Sequence, residues 1–172
     1  MKIRWLLAAL LCMALTLSAC GGGKPEDAQG QEADSFTWQI ELRKSEIVDR
    51  LHTDEGVQQY EGDVLDVAHD NAPSEGNVFL ILTMTVTKTQ TGGEPFDWKK
   101  LTVMDADGNT YARLENDSFL SVHTYKRLPG TALQIGENKG SICFEIPQNT
   151  DRGGLKLCYD AGAEGVQTLS IG

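Results

Sequence analysis

The strongest pattern of apolar and polar positions in the chain covers residues 78–89, VFLILTMTVTKT. The stretch begins continuously apolar and then alternates, with Leu80, Leu82, Met84 and Val86 on one face and threonines on the other. Apolar and β-branched residues at a period of two are typical of β-strands. This run therefore predicts a central strand.

Shorter runs with the same period follow through the chain, separated by turn residues. Trp38, Ile40 and Leu42 alternate with polar residues and predict an edge strand. Residues 101–104 and 110–114 flank an Asp-Ala-Asp-Gly-Asn turn and predict a hairpin. The remaining predicted strands are residues 118–125, 132–135, 141–146, 155–160 and 166–171. Strands at this spacing predict an all-β sandwich or barrel.

Residues 45–52 fit two patterns. Ile47, Val48 and Leu51 share one helical face after Ser45, a residue type that caps helices, yet they also continue an irregular edge strand. We favour the strand. The polar residues 53–62 then predict a mobile loop.

The first 19 residues have the composition of an export signal. Lys2 and Arg4 precede an apolar run that is short of the roughly 20 residues of a membrane span, and the motif Leu17-Ser18-Ala19-Cys20 follows. We expect residues 1–19 to be removed and the Cys20 thiol to carry diacylglycerol. Two acyl chains, such as palmitate, anchor a protein durably. The predicted location is the extracytoplasmic side of the cell membrane.

Residues 20–35 comprise the lipidated cysteine and a tether with no aliphatic residue larger than alanine, which cannot form a core. Such a tether spans roughly 20 Å on average. Residues 36–172 have the length of one domain.

The mature chain is strongly acidic. Removal of residues 1–19 takes away 2 of the 15 basic residues and none of the 25 acidic ones, so 13 minus 25 leaves a net charge of −12. A field of this sign repels phosphate backbones and anionic headgroups. It therefore argues against nucleic acid as a partner.

Two cysteines, Cys143 and Cys158, remain in the predicted domain. Each alternates with apolar neighbours, so both thiols are predicted to face away from the core. If the two strands pair with Ile146 opposite Leu155, then Cys143 falls opposite Cys158. Export permits a disulfide, which would contribute about 3 kcal/mol of stability. Two free thiols on adjacent strands, or strands that are not aligned in this way, are the alternatives.

Several motifs occur in a familiar order: residues 75–79 leading into the threonine-alternating strand, then 103–111, 128–130, 140–147 and 155–160. This order resembles the telokin-like, immunoglobulin-like domain of unknown function found in Gram-positive lipoproteins and secreted proteins. The resemblance implies an immunoglobulin-like antiparallel β-sandwich and no particular reaction, because fold does not fix function. The chain departs from antibody domains, since its two cysteines are close in sequence and Trp98 lies in a loop-like stretch.

The candidate chemical motifs are sparse. Asp105, Asp107 and Asn109 begin like a calcium loop, but glycine comes too early and the closing glutamate is missing, so we predict a tight turn. The three histidines have no metal-ligand spacing and are predicted at the surface: His52, His69 and His123. We expect no catalytic residues, no metal and no cofactor.

The candidate contact residues are four aromatic side chains in or beside predicted loops: Tyr60, Phe96, Trp98 and Tyr125. Exposed aromatics on a rigid scaffold are common contact residues. Packing beneath their own loops is the alternative. We expect a membrane-anchored, non-catalytic module that binds an extracytoplasmic protein or small ligand. A small-molecule or metal sensor and a structural envelope lipoprotein are the alternatives.

Overall fold

The computed structural model describes residues 36–60, 63–128 and 133–172. The predicted signal peptide, Cys20 and the tether lie outside these ranges. The strands are β1 (Trp38–Val48), β2 (Leu51–Tyr60), β3 (Asp63–Asn71), β4 (Asn77–Lys88), β5 (Leu101–Met104), β6 (Thr110–Ala112), β7 (Gly136–Pro147), β8 (Lys156–Asp160) and β9 (Val166–Ser170). Short 3-10 helices cover Trp98–Lys100, Ser118–Ser121, Arg152–Gly154 and Gly162–Glu164. Within the described ranges, no helix is long and apolar enough to cross a bilayer.

The predicted all-β sandwich is confirmed. One sheet has the order β1-β4-β7, the other has the order β6-β5-β8-β9, and β2 pairs with β3 as a separate hairpin. The pairings between these strands are antiparallel. The main core takes apolar side chains from both sheets, among them Leu80, Leu82 and Phe144 from the first and Leu101 and Leu157 from the second. Burying each such side chain contributes about 1.5–3 kcal/mol.

Strand β4 is the central strand of its sheet, as residues 78–89 predict. Leu80 and Leu82 face the main core, whereas Phe79 and Ile81 on the opposite face join a second buried cluster. From Thr83 onward, threonines alternate with apolar residues. The strand is therefore apolar on both faces only where a second layer covers it.

The second buried cluster lies on the outer face of the three-stranded sheet. It consists of Leu51, Phe79, Ile81, Leu120 and Cys143, with Val48, Leu114, Phe119 and Tyr125 packed against it. The strand predicted at residues 118–125 is wrong, because this segment forms the 3-10 helix Ser118–Ser121 and a turn. Its alternating pattern serves to insert Leu120 into the cluster.

Of the other predictions for single segments, some are confirmed and some are wrong. Residues 45–48 continue β1 and residues 51–52 begin β2, so the favoured strand is confirmed, with Asp49 and Arg50 between the two strands. A bulge after Leu42 makes β1 irregular. The mobile loop predicted at residues 53–62 is wrong over its described part, because residues 53–60 belong to β2 and pair with β3 in a ladder that satisfies the backbone of a polar sequence. The strand at residues 132–135 is also wrong where described, since residues 133–135 precede β7 and Ile135 is exposed.

A side chain from the second sheet covers the outer edge of β1. The Gln167 amide accepts a hydrogen bond from the Ile40 N–H at 3.3 Å and donates to the Trp38 carbonyl at 2.5 Å. Edge strands with unsatisfied backbone groups recruit other chains. Gln167 of β9 therefore blocks part of this edge and links the two sheets.

The predicted disulfide is absent: among the described residues, Cys143 and Cys158 are free thiols. Cys143 lies opposite Ile81 of β4, whereas Cys158 lies opposite Thr102 of β5, so the two belong to different sheets. The predicted register is wrong because the 3-10 helix between β7 and β8 carries the chain to the other sheet instead of closing a hairpin. Cys143 does face away from the main core, but the second cluster buries it and burial raises the pKa of its thiol.

Candidate functional site

Two of the predicted contact aromatics, Phe96 and Trp98, lie between β4 and β5. Phe96 is buried beneath its own loop and stacks on Tyr159 with ring centroids 4.5 Å apart. It also meets the edges of Trp38 at 5.5 Å and Trp98 at 4.8 Å. Phe96 is therefore the anchor that fixes the loop, and Trp98 is the half-exposed aromatic resting on it.

The other two predicted aromatics are Tyr125 and Tyr60. Tyr125 is half-buried against the second cluster, and burial raises the pKa of its hydroxyl. Tyr60 ends β2, and its side chain lies outside the described part of the chain. Trp98 is thus the predicted residue that borders a described cleft while keeping part of its surface exposed.

Local capping orients Trp98. Asp97 accepts a hydrogen bond from the Lys99 N–H at 3.0 Å and starts the 3-10 helix Trp98–Lys100. A side-chain oxygen at this position satisfies an N–H that the short helix leaves unpaired. Leu101, fully buried, then begins β5. Trp98 is thereby held between two fixed points, Phe96 and Leu101.

A buried charge cluster lies beside Trp98, formed by Arg113, Asp117 and Arg127. The Asp117 side chain has 0% exposure and that of Arg113 has 6%. Asp117 Oδ2 accepts from Arg113 Nε at 2.9 Å and lies 2.8 Å from Arg113 Nη2. Arg127 Nε donates to Asp117 Oδ1. Arg113 Nη2 also donates to the Leu128 carbonyl at 3.0 Å.

The cluster has more positive than negative charge, because two guanidinium groups share one carboxylate. Burial lowers the pKa of Arg113 and Asp117 opposes this effect, but an arginine keeps its proton in proteins. Among the described residues, the buried Arg113 Nη1 has no hydrogen-bond partner. A buried donor in this state costs about 1–3 kcal/mol. Nη1 is therefore a buried donor atom that no described acceptor satisfies.

Trp98 and Arg113 line the same cleft. The Trp98 ring stacks on the Arg113 guanidinium, with Cζ 4.1 Å from the ring centroid. The cleft measures about 390 Å³ and is lined by Trp98, Lys99, Ala112, Arg113, Leu114 and Glu115. We call it the Trp98 cleft. Its volume falls in the range of about 300–1,000 Å³ that is usual for small-molecule sites.

The Trp98 cleft lies where the chain passes from one sheet to the other. Strand β6 is an edge of the four-stranded sheet. Arg113 then forms a bridge to Phe144 of β7, and the Leu114 N–H donates to the Cys143 carbonyl at 2.9 Å. The crossing backbone is thus hydrogen-bonded to the three-stranded sheet while Ala112 still belongs to the other. The cleft walls are held by both sheets.

A second cleft of about 460 Å³ lies near the start of β1, and its lining includes Thr37, Lys100 and Glu164. Glu164 accepts from the Thr37 hydroxyl at 2.5 Å and from the Thr37 N–H at 2.8 Å, and these bonds lower the pKa of its carboxyl. Both oxygens of the Glu164 carboxylate are therefore already bound to Thr37.

The predicted tight turn at Asp105 is confirmed. Asp105 Oδ1 accepts from the N–H groups of Asp107 at 3.0 Å and Asn109 at 2.8 Å. Its Oδ2 accepts from the Asn109 amide at 2.9 Å and the Tyr111 hydroxyl at 2.8 Å. The side-chain bond from Asn109 is the largest cause of the lowered pKa of Asp105. Across the described residues, no group of three or more His, Cys, Asp or Glu is arranged to hold a metal.

His123 departs from its predicted surface position. It is buried, with Nδ1 2.6 Å from the Thr53 hydroxyl and Nε2 2.9 Å from the Asn71 amide oxygen. It thereby joins the base of the β2–β3 hairpin to the turn after Ser118–Ser121. His52 is exposed as predicted, and the side chain of His69 lies outside the described part.

The sequence reasoning missed Arg113, Asp117 and Arg127. Charged residues are mostly exposed, and these three follow no periodic pattern that would mark them as buried. Their spacing in a turn-rich segment gives no signal of a shared carboxylate. They come together because the chain folds back over β7.

Comparison of the chain with protein-family models, curated proteins and solved structures found no match.

Proposed function

We propose that this protein is a membrane-anchored extracytoplasmic lipoprotein whose β-sandwich is a non-catalytic, immunoglobulin-like binding module, with the Trp98 cleft as its binding site. The observation that carries the binding role is the buried Arg113 guanidinium, with one uncommitted donor, in the wall of a cleft of ligand size. The immunoglobulin-like assignment rests on the motif resemblance together with the sandwich architecture.

The motif Leu17-Ser18-Ala19-Cys20, after a charged and apolar segment, supports the location. A diacylglycerol on Cys20 supplies two acyl chains, which meet the requirement for stable anchoring. The polar tether then keeps the sandwich within tens of ångströms of the membrane surface. The module would act on molecules that reach this layer.

The fixed position of Arg113 supports binding. Asp117 holds its guanidinium from the side, and the Leu128 carbonyl accepts from Nη2. Side chains that are already ordered lose less conformational entropy when a ligand arrives. The cleft has room for a small molecule or one protruding side chain of a partner.

The anchoring is tested with Cys20→Ala against the matched control Cys158→Ala. Cells expressing each variant are labelled with radioactive palmitate and separated into membrane and soluble fractions. We expect wild type and Cys158→Ala to incorporate label and to sediment with membranes. Cys20→Ala should do neither. Unlabelled wild-type protein that retains residues 1–19 would contradict the proposed location.

The binding role is tested by photo-crosslinking in intact cells. A photoreactive amino acid replaces Lys99 at the cleft, or Lys139, which is exposed on the other sheet, as the control. We expect an adduct from position 99 that disappears when Ala112→Trp fills the cleft. Equal adducts at both positions, or an adduct that Ala112→Trp leaves unchanged, would show that the cleft is not the binding site.

A further inference from the structure

The Trp98 cleft is a positively charged spot on an acidic protein. Its lining includes two positive charges, Lys99 and Arg113, and one negative charge, Glu115. Behind the lining, Asp117 and Arg127 bind each other and add no net charge. The net charge of the chain is −10. An anion is therefore repelled by the overall field and attracted by the local charge of this cleft. Such a contrast favours binding in the cleft over binding elsewhere on the surface.

Arg113 limits how an anion is held. Nε and Nη2 bind Asp117, and Nη2 also binds the Leu128 carbonyl. Trp98 covers a face of the guanidinium. What remains is Nη1, a buried atom whose N–H groups would meet an acceptor lying in the guanidinium plane. Lys99, a flexible cation in the cleft wall, adds a second donor.

We propose that the Trp98 cleft binds a small monocarboxylate with a flat apolar body, its carboxylate at Arg113 Nη1 and Lys99 and its body beside Trp98. This inference rests on the proposed binding function and names its ligand class. Because Arg113 Nη1 is buried, this binding mode also requires the Trp98 ring to shift so that the carboxylate can reach it.

The other cleft residues select this class. Trp98, Ala112 and Leu114 give apolar walls, which favour an apolar body. Glu115 lies in the same wall and repels a second negative charge, so a dianion such as phosphate is disfavoured. A single carboxylate meets the free donors without adding this repulsion. The neutral amide of the same acid lacks the charge-assisted hydrogen bond.

The test uses the full, anchored protein reconstituted in lipid nanodiscs, with phenylacetate as the probe and phenylacetamide as its neutral counterpart. Binding is followed by saturation-transfer NMR and by tryptophan fluorescence. We expect saturable phenylacetate binding with a Kd in the roughly millimolar range, as for other ligands of about ten non-hydrogen atoms. Phenylacetamide should bind at least tenfold more weakly.

Three variants keep Arg113 and Asp117 in place, so the test does not depend on disturbing a buried pair. Ala112→Trp fills the cleft and should abolish phenylacetate binding. Thr110→Trp makes the same change two residues away on β6, outside the cleft, and should bind like wild type. Lys99→Gln should weaken binding several-fold. Circular dichroism melting curves confirm that each variant is folded.

Equal affinity for acid and amide would overturn the proposal, as would absent saturation by phenylacetate or unchanged binding by Ala112→Trp. These outcomes are separate from the proposed function. A failed palmitate label contradicts the anchoring and leaves carboxylate binding intact. A cleft that crosslinks at position 99 but does not prefer the acid remains a binding site for a different ligand class.

Discussion

Replacing Asp117 with asparagine should destabilise the protein strongly although the two side chains have the same shape. Asp117 is fully buried and is the shared partner of Arg113 and Arg127. Asparagine still offers one oxygen, but its amide group places donors against guanidinium donors. The charge of the buried Arg113 is then left without its anion.

The magnitude follows from the burial of each partner. Removing one member of a buried ion pair costs about 3–5 kcal/mol. Arg113 is nearly inaccessible, whereas Arg127 is 26% exposed and recovers some hydration. We therefore expect a loss of about 3 kcal/mol in the free energy of unfolding. For a domain of this size, that loss lowers the Tm by roughly 10 °C.

Glu137→Gln is the matched control, because it makes the same acid-to-amide change in an exposed pair. Glu137 lies 2.6 Å from Lys139, and their side chains are 59% and 56% exposed. Exposed pairs contribute about 0–1 kcal/mol. Urea unfolding followed by circular dichroism gives both free energies. Repeating it at high salt should shrink the small effect of Glu137→Gln and leave that of Asp117→Asn, because salt screens exposed charges more than buried ones.

The reasoning would be refuted if Asp117→Asn lost less than about 1 kcal/mol, the upper range for a surface pair. That result would mean that water or an alternative side-chain packing satisfies Arg113 in the folded protein. An unchanged slope of unfolding against urea is required for the comparison, because a changed slope signals an altered denatured or native state.

Three further predictions concern other parts of the fold. Gly140→Ala should lower the free energy of unfolding by about 1–3 kcal/mol or more, because a Cβ there would lie 2.5 Å from a backbone oxygen. The control Gly153→Ala, whose Cβ would lie 3.6 Å from its nearest atom, should leave the Tm nearly unchanged in thermal melts. A thiol reagent should modify Cys158 in the native protein and Cys143 only after unfolding, because Cys143 is buried and the pKa of its thiol is raised. Mass spectrometry measures the modification. Two unmodified cysteines in unfolded, non-reduced protein would contradict this prediction. The pKa of Glu164 is lowered in the folded protein, so its contribution to stability is present above the usual glutamate pKa of about 4.3 and is lost as the pH falls through the folded value. Glu164→Gln should therefore lower the Tm at neutral pH and have the same Tm as wild type in acid. A difference in Tm that stays constant across this pH range would count against the assignment.

Much of the sandwich could be predicted because its signals are local. Residues 78–89 carry a period of two that any strand with a buried face must show, and the Asp105 turn contains the acceptor and glycine that its hairpin needs. The edge position of β1 also follows from its mixed polarity. These features depend on neighbouring residues in the chain.

The motif that ends at Cys20 is likewise legible in the sequence, since a short linear signal requires no folded context. It indicates where the protein resides and remains a prediction to be tested. Trp98 could be selected as a contact candidate from its place in a loop-like stretch. Its neighbour Phe96 looks the same in sequence but is buried between Trp38 and Tyr159, whereas Trp98 packs at the margin of the main core.

By itself, then, the sequence determined the strand periodicity, the all-β class and the principal turns, because each depends on residues that are close together in the chain. Tertiary structure decided which strands become neighbours, and so placed Cys143 and Cys158 on different sheets. It also decided that residues 118–125 form a second layer and that Arg113 is buried with a shared carboxylate. The burial of a charge depends on atoms that come together from distant parts of the chain, and no local sequence pattern encodes their arrangement.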